Sequence, residues 1–119
     1  MSRSRVLIAA AVLVLFAAAG GILIYVTGQH QAQQVSFNLT VTGAKSMTPT
    51  VLTAHVNDTV TINITSDTDG EVHLHVYNIA FDTTAGQTVS HTFKANLTCT
   101  CDIEWESTST HLGDLTVSP

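Results

Sequence analysis

Positive charge is scarce in this chain: of 119 residues, four are Lys or Arg. Two of these, Arg3 and Arg5, stand at the very start, which leaves Lys45 and Lys94 against nine Asp and Glu. A portion this acidic is unsuited to nucleic acid or to anionic membrane surfaces, which need basic patches. Catalytic patterns are also missing. There is no nucleophile–base arrangement, no phosphate-cradling glycine loop and no paired carboxylates with a recognisable partner, so an enzyme is not expected. Asp67, Asp69 and Glu71 around Gly70 resemble a calcium loop only superficially, because they lack the spacing and terminal Glu of an EF-hand. A turn is the simpler account. The two cysteines, Cys99 and Cys101, lie far from the first apolar segment, which rules out a bacterial lipoprotein.

The one long apolar run is Val6–Val26, "VLIAAAVLVLFAAAGGILIYV". As a helix rising about 1.5 Å per residue, it is long enough for a hydrocarbon core of about 30 Å. Arg3 and Arg5 precede it and no basic residue follows before Lys45. The positive-inside rule then places residues 1–5 in the cytoplasm and the rest of the chain outside. A cleaved signal peptide is the rival reading, with Ala17-x-Ala19 as the cleavage pattern. Cutting there would strand "GILIYV" as an apolar new N-terminus, so an uncleaved single-pass anchor over 6–26 is expected. Residues 27–34, "TGQHQAQQ", read as a polar linker.

From Val35 onward the signal is alternation, in a composition rich in Thr, Val and Asn that suits half-buried strands. "VSFNLTVTG", "VLTAHV", "VTINITS", "DGEVHLHVYNIAF", "VSHTFKANL", "CTCDIEWES" and "HLGDLTVSP" give about seven short strands separated by turn signals. "SDTDG" reads as a hairpin turn between the third and fourth of these, and "FDTTAGQT" as a loop. The expectation for 35–119 is one all-β domain, an antiparallel Greek-key sandwich.

The order of these segments from Gly43 to Pro119 resembles the cupredoxin-like sandwich, the fold of small blue copper proteins. The residues that carry the resemblance are the lead-in "MTPTVLTAHVNDTVTINITSD", the strand "EVHLH", "AGQTVSHTFKA" and the ending "CDIEWE…HLGDLTV". The resemblance implies a copper site built from one early His and a last-loop Cys, His and Met. In this chain Trp105 falls at the Cys position, His111 takes the place of the Met, and "ESTST" holds no His. A blue copper electron carrier is therefore not expected, and neither is a binuclear copper centre, whose cysteines belong to the same loop.

What remains is His73, His75 and His111, with Glu104 and Glu106 nearby. Imidazoles joined by a carboxylate suit copper first and zinc second. His73 and His75 are two apart, which puts both on one face of a strand. Two inward rows compete here. Val72, Leu74 and Val76 would leave the histidines outside, whereas Tyr77, Ile79 and Phe81 form the other row. His30 and His55 read as solvated, and His91, in phase with Val89 and Phe93, as half-buried.

Cys99 and Cys101 also share a face. On an extended strand their Cα atoms stand roughly 6.5–7 Å apart, the outer limit for a disulfide. A local bridge on a bent backbone, pairing with another chain and binding of a soft ion all stay open. The resemblance sets this pair at the end of the sandwich opposite His73 and His75. Asn38, Asn57, Asn63 and Asn96 open N-x-S/T sequons, which matter only where the outer surface is glycosylated.

The expectation is thus a single-pass, membrane-anchored module outside the cytoplasm that binds copper or zinc through His73, His75 and His111. The alternative is a structural or adhesive surface domain with an unknown protein partner.

Overall fold

The computed structural model describes residues 30–119, of which Ala32–Pro119 form one compact unit. The expected cytoplasmic start and the anchor over 6–26 lie outside the described residues. Of the expected linker, residues 30–33 carry no regular structure and Gln34 already belongs to a strand.

Among the described residues, nine strands build two sheets. They are β1 (Gln34–Thr42), β2 (Ser46–Thr48), β3 (Val51–His55), β4 (Thr59–Ser66), β5 (Gly70–Leu74), β6 (Ile79–Thr83), β7 (Thr88–Lys94), β8 (Cys99–Trp105) and β9 (Thr110–Ser118). A four-stranded sheet has the order β2-β1-β4-β7 and a five-stranded sheet the order β3-β9-β8-β5-β6. Alternation supplies the core between them. Leu39 and Val41 of β1, Val60, Ile62 and Ile64 of β4, and Ile103 and Trp105 of β8 all point inward and are buried. Each large apolar side chain buried this way contributes about 1.5–3 kcal/mol relative to exposure.

The architecture corrects the expected strand list in three places. First, β2 is an additional strand of three residues, too short to show an alternation. It returns from β1 through Gly43 and Ala44, both at positive φ, as a tight two-strand connection requires. Second, the sheets are mixed: β1 runs parallel to β4, and β3 parallel to β9. The connections β2–β3, β3–β4, β4–β5, β6–β7 and β7–β8 each pass from one sheet to the other. "SDTDG" is accordingly a crossover between sheets. Its Asp67 accepts the Gly43 N–H at 2.8 Å and its Asp69 the Ala85 N–H at 2.8 Å, so both carboxylates tie neighbouring loops. The Gly43 N–H, followed by the Thr68 hydroxyl, holds the Asp67 carboxyl below the usual Asp range.

Third, "DGEVHLHVYNIAF" is two strands. β5 ends at Leu74, residues 75–78 turn, and β6 returns with Leu74 opposite Ile79. Val76 and Asn78 take positive φ there, an ordinary state for Asn and a rare one for a β-branched residue. Val76 is exposed instead of continuing the inward row. The fold resolves the competing rows because each belongs to a different strand. Val72 and Leu74 are buried from β5, and Phe81 from β6. Tyr77 leans from the turn onto Phe93, with ring centroids 5.0 Å apart, and its hydroxyl donates to the Leu97 carbonyl at 2.6 Å. "FDTTAGQT" is strand as far as Thr83, whose buried hydroxyl donates to the Thr68 carbonyl.

Candidate metal-binding face

Inward Val72 and Leu74 leave Glu71 and His73 on the outer face of the five-stranded sheet. On β8, inward Cys101, Ile103 and Trp105 leave Asp102 and Glu104 on that same face. His73 pairs in register with Glu104, and Glu71 with Asp82 of β6. The backbone N–H of His75 donates to the Asp102 carbonyl at 2.9 Å, so the turn's first residue stays against β8.

His111 reaches this face through an irregularity. Counting back by twos from buried Leu115 along β9 gives Gly113 and then 111 as interior positions. The register shifts instead: Ile103 faces Gly113, the next residue Glu104 faces His111, and Leu112 is the extra residue. Such a bulge reverses which face every residue beyond it presents. Leu112 turns into the core and His111 turns out, opposite Glu104. Gly113 fits there because the backbone is close on its inner side. A Cβ at this position would lie 2.3 Å from the Thr50 carbonyl oxygen.

Three histidines and many carboxylates therefore share one surface. Of the chain's nine acids, Glu71, Asp82, Asp102, Glu104, Glu106 and Asp114 belong to this sheet or to the 3-10 turn that follows β8. Lys94 is on β7 of the other sheet, and Lys45 is in the turn between β1 and β2. The close side-chain contacts on this face, among the described residues, set an imidazole beside a carboxylate. His73 Nδ1 lies 3.4 Å from Glu71 and 3.7 Å from Glu106. His75 Nε2 pairs closely with Glu104. His111 Nδ1 pairs with Asp102, and its Nε2 lies 3.5 Å from Asp114. Hydrogen bonding to the Asp102 carboxylate raises the His111 pKa above the usual value, with the charges of Asp102, Asp114 and Glu104 adding to it.

On this face the ligand atoms fall into three groups, each with every member within 4.8 Å of the others: Glu71, His73 and Glu106; His75, Asp102 and Glu104; Asp102, His111 and Asp114. His73 and His75 are neighbours, with ring centroids 4.5 Å apart. His111 stands across β8 from both, and no group contains two of the three histidines. The sequence reading named the imidazoles together with Glu104 and Glu106, and missed Glu71, Asp102 and Asp114 as partners. Asp102 was detectable, since it alternates with Glu104 on a strand whose other parity is apolar. Asp114 was hidden by the bulge, and Glu71 by its place beside the acidic turn.

Cys99 and Cys101 form a disulfide on the inner side of β8, their Cα atoms drawn to 5.3 Å from the spacing of an extended strand. Neither cysteine of the chain is free. His91 is exposed, more so than expected, with its ring edge-on to Phe81 at 4.9 Å.

No family model and no curated protein matches the sequence. Solved structures do match in fold. One is an NMR solution structure of a copper binding protein in the apo form, with a TM-score of 0.61 and 11% identity over 75% of this chain and 92% of that one. Another is auracyanin A, a blue copper protein from the green thermophilic photosynthetic bacterium Chloroflexus aurantiacus. It has a TM-score of 0.53 and 16% identity over 71% of this chain and 98% of that one. A third is the blue copper oxidase from Nitrosomonas europaea, with a TM-score of 0.54 and 16% identity, where the match covers 74% of this chain but 39% of the oxidase. A blue copper centre does not fit the residues present. Trp105, at the position the resemblance gives to the thiolate, is buried against Gly70, and both sulfurs are held in the disulfide.

Proposed function

We propose that this domain, cupredoxin-like in fold, binds Cu(II), and Zn(II) second, on the outer face of its five-stranded sheet. The ligands are His73, His75 and His111 with the carboxylates beside them, and the module serves in binding or as an accessory, without catalysis and without carrying electrons as a blue copper protein. The observation that carries this reading is the set of three groups, each offering one imidazole and two carboxylates, on a face that holds no Lys or Arg among the described residues. Imidazole nitrogen with carboxylate oxygen is a donor set for Cu(II) and Zn(II), and copper stands highest in the general affinity order. The copper proteins among the structural neighbours support the choice of metal. Display outside the cytoplasm on a single-pass anchor rests on the apolar run 6–26 and on the arginines before it.

Calorimetric titration of the full chain with Cu(II) and with Zn(II) tests the proposal. Stoichiometric binding that disappears in H73A/H75A/H111A is the expected result. Heats no greater than weak surface adsorption in the unmodified chain would leave the structural or adhesive module as the better account. In that case, the Thr-, Ser- and Asn-rich face of the four-stranded sheet becomes the surface to probe for a protein partner.

A further inference from the structure

We infer that the groups around His75 and His111 act as one two-ion site in which the Asp102 carboxylate bridges two divalent cations. This rests on the metal-binding reading above and specifies how the ions are arranged.

Asp102 is the one residue common to two of the three groups. It lies on β8, between the turn that carries His75 on one side and β9 on the other. His75 is held next to it through the N–H to Asp102 carbonyl bond, and Asp114 is its register partner on β9. The strands on the two flanks of β8 are separated by twice the inter-strand spacing, about 9.5 Å. The imidazoles of His75 and His111 approach β8 from these opposite flanks, and neither belongs to the other's group. A metal–imidazole bond is only about 2.0–2.1 Å long, so one ion does not take both rings in this geometry. A carboxylate has two oxygens and can give one to each of two ions. Asp102 thus completes one ligand set with His75 and Glu104 and a second with His111 and Asp114.

Charge supports two ions. Asp102, Glu104 and Asp114 bring three negative charges, and Glu71 and Asp82 add two more on the adjoining strands. Without a cation these groups repel one another, relieved only by whatever charge the histidines carry. Two divalent ions bring four positive charges to the same surface. The ligands remain within reach of solvent, with side-chain exposures of 42% for His75, 60% for His111 and 41% for Asp102. Ions can therefore enter without opening the fold. The bulge at Leu112 is what makes the second set possible, because it turns His111 outward.

The test uses the full chain carrying H73A, which removes the separate group at Glu71 and Glu106. Loaded with Cu(II), this variant is expected to bind two ions by native mass spectrometry. Its electron paramagnetic resonance spectrum should show a coupled pair, with a broadened signal and a half-field transition. Adding H111A should lower the count to one ion with an isolated copper spectrum, and D102N should abolish the coupled signal. Circular dichroism checks the fold of D102N, and H111A carries the test should D102N misfold. A single ion in the H73A chain, or two ions without coupling, overturns the bridge while leaving metal binding intact. An absence of copper binding in the unmodified chain overturns both readings.

Discussion

The two outer faces of the sandwich follow the same alternation yet carry opposite chemistry. On the four-stranded sheet the outward residues, Lys94 at the end of β7 aside, are neutral, and several bond to one another. Thr61 pairs with Thr92 at 2.9 Å, Thr65 with Thr88 at 2.8 Å, and the Asn63 amide donates to Asn38 at 2.9 Å while its oxygen accepts from Ser90. On the five-stranded sheet the outward residues include acids and histidines that pair with each other around β5, β8 and β9. The neutral face satisfies its own polar groups and asks for nothing more. The charged face places like charges directly opposite, as Glu71 against Asp82, an arrangement that costs stability until a cation joins it. A pair of inner faces built alike can thus hold together two surfaces of different chemistry, one bonded largely to itself and one rich in carboxylates and imidazoles.

The largest expected effect tests that division directly. H73A/H75A/H111A should lose Cu(II) binding in the calorimeter, whereas N63A on the opposite face should bind as the unmodified chain does. Next in size are the glycines under the charged sheet. A Cβ at Gly70 would meet the Trp105 ring at 2.3 Å and one at Gly113 the Thr50 carbonyl oxygen at 2.3 Å. G70A and G113A should each cost about 1–3 kcal/mol in urea unfolding, the usual penalty for overpacking. Removing polar groups should then act with opposite sign on the two faces. D82N is expected to stabilise the metal-free chain by a few tenths of a kcal/mol by relieving Glu71. A double-mutant cycle of T61V and T92V should instead reveal a favourable coupling of roughly 0.2–1 kcal/mol.

The smallest effect belongs to neither face. Asp67, its carboxyl held low mainly by the Gly43 N–H, supports the fold at pH values above the ordinary carboxylate range. Because its folded value is the depressed one, that support fades as pH falls through it. An NMR carboxyl titration should place Asp67 below an ordinary Asp, and D67N should show a shallower loss of stability on acidification.

Much of this was legible in the sequence, for a simple reason. Val60, Ile62 and Ile64 on β4 and Cys101, Ile103 and Trp105 on β8 alternate without interruption, and two such rows facing one another make a sandwich. The cupredoxin-like fold could be read from their order. The break at 75–78 was illegible because Val76 and Tyr77 are ordinary strand formers, and only their tertiary contacts turn the chain. The parallel pairs escaped because alternation states which side a residue faces and says nothing of which sheet its strand joins. At the candidate site, His73 and His75 were readable as a pair and share one surface. The environment of His111 was not readable, since the extra residue on β9 leaves no mark in composition.

That extra residue has a consequence for how chains of this kind change. Substitution at 111 alters which donor is offered, whereas the two-for-one pairing at Glu104 decides whether that donor faces outward while Leu112 is present. Were Leu112 to pair regularly with Glu104, it would turn outward and draw the imidazole into the sandwich, whereas deleting Leu112 would restore the ladder with His111 still opposite Glu104. What the extra residue adds is therefore a buried leucine, gained without moving the imidazole off the charged surface.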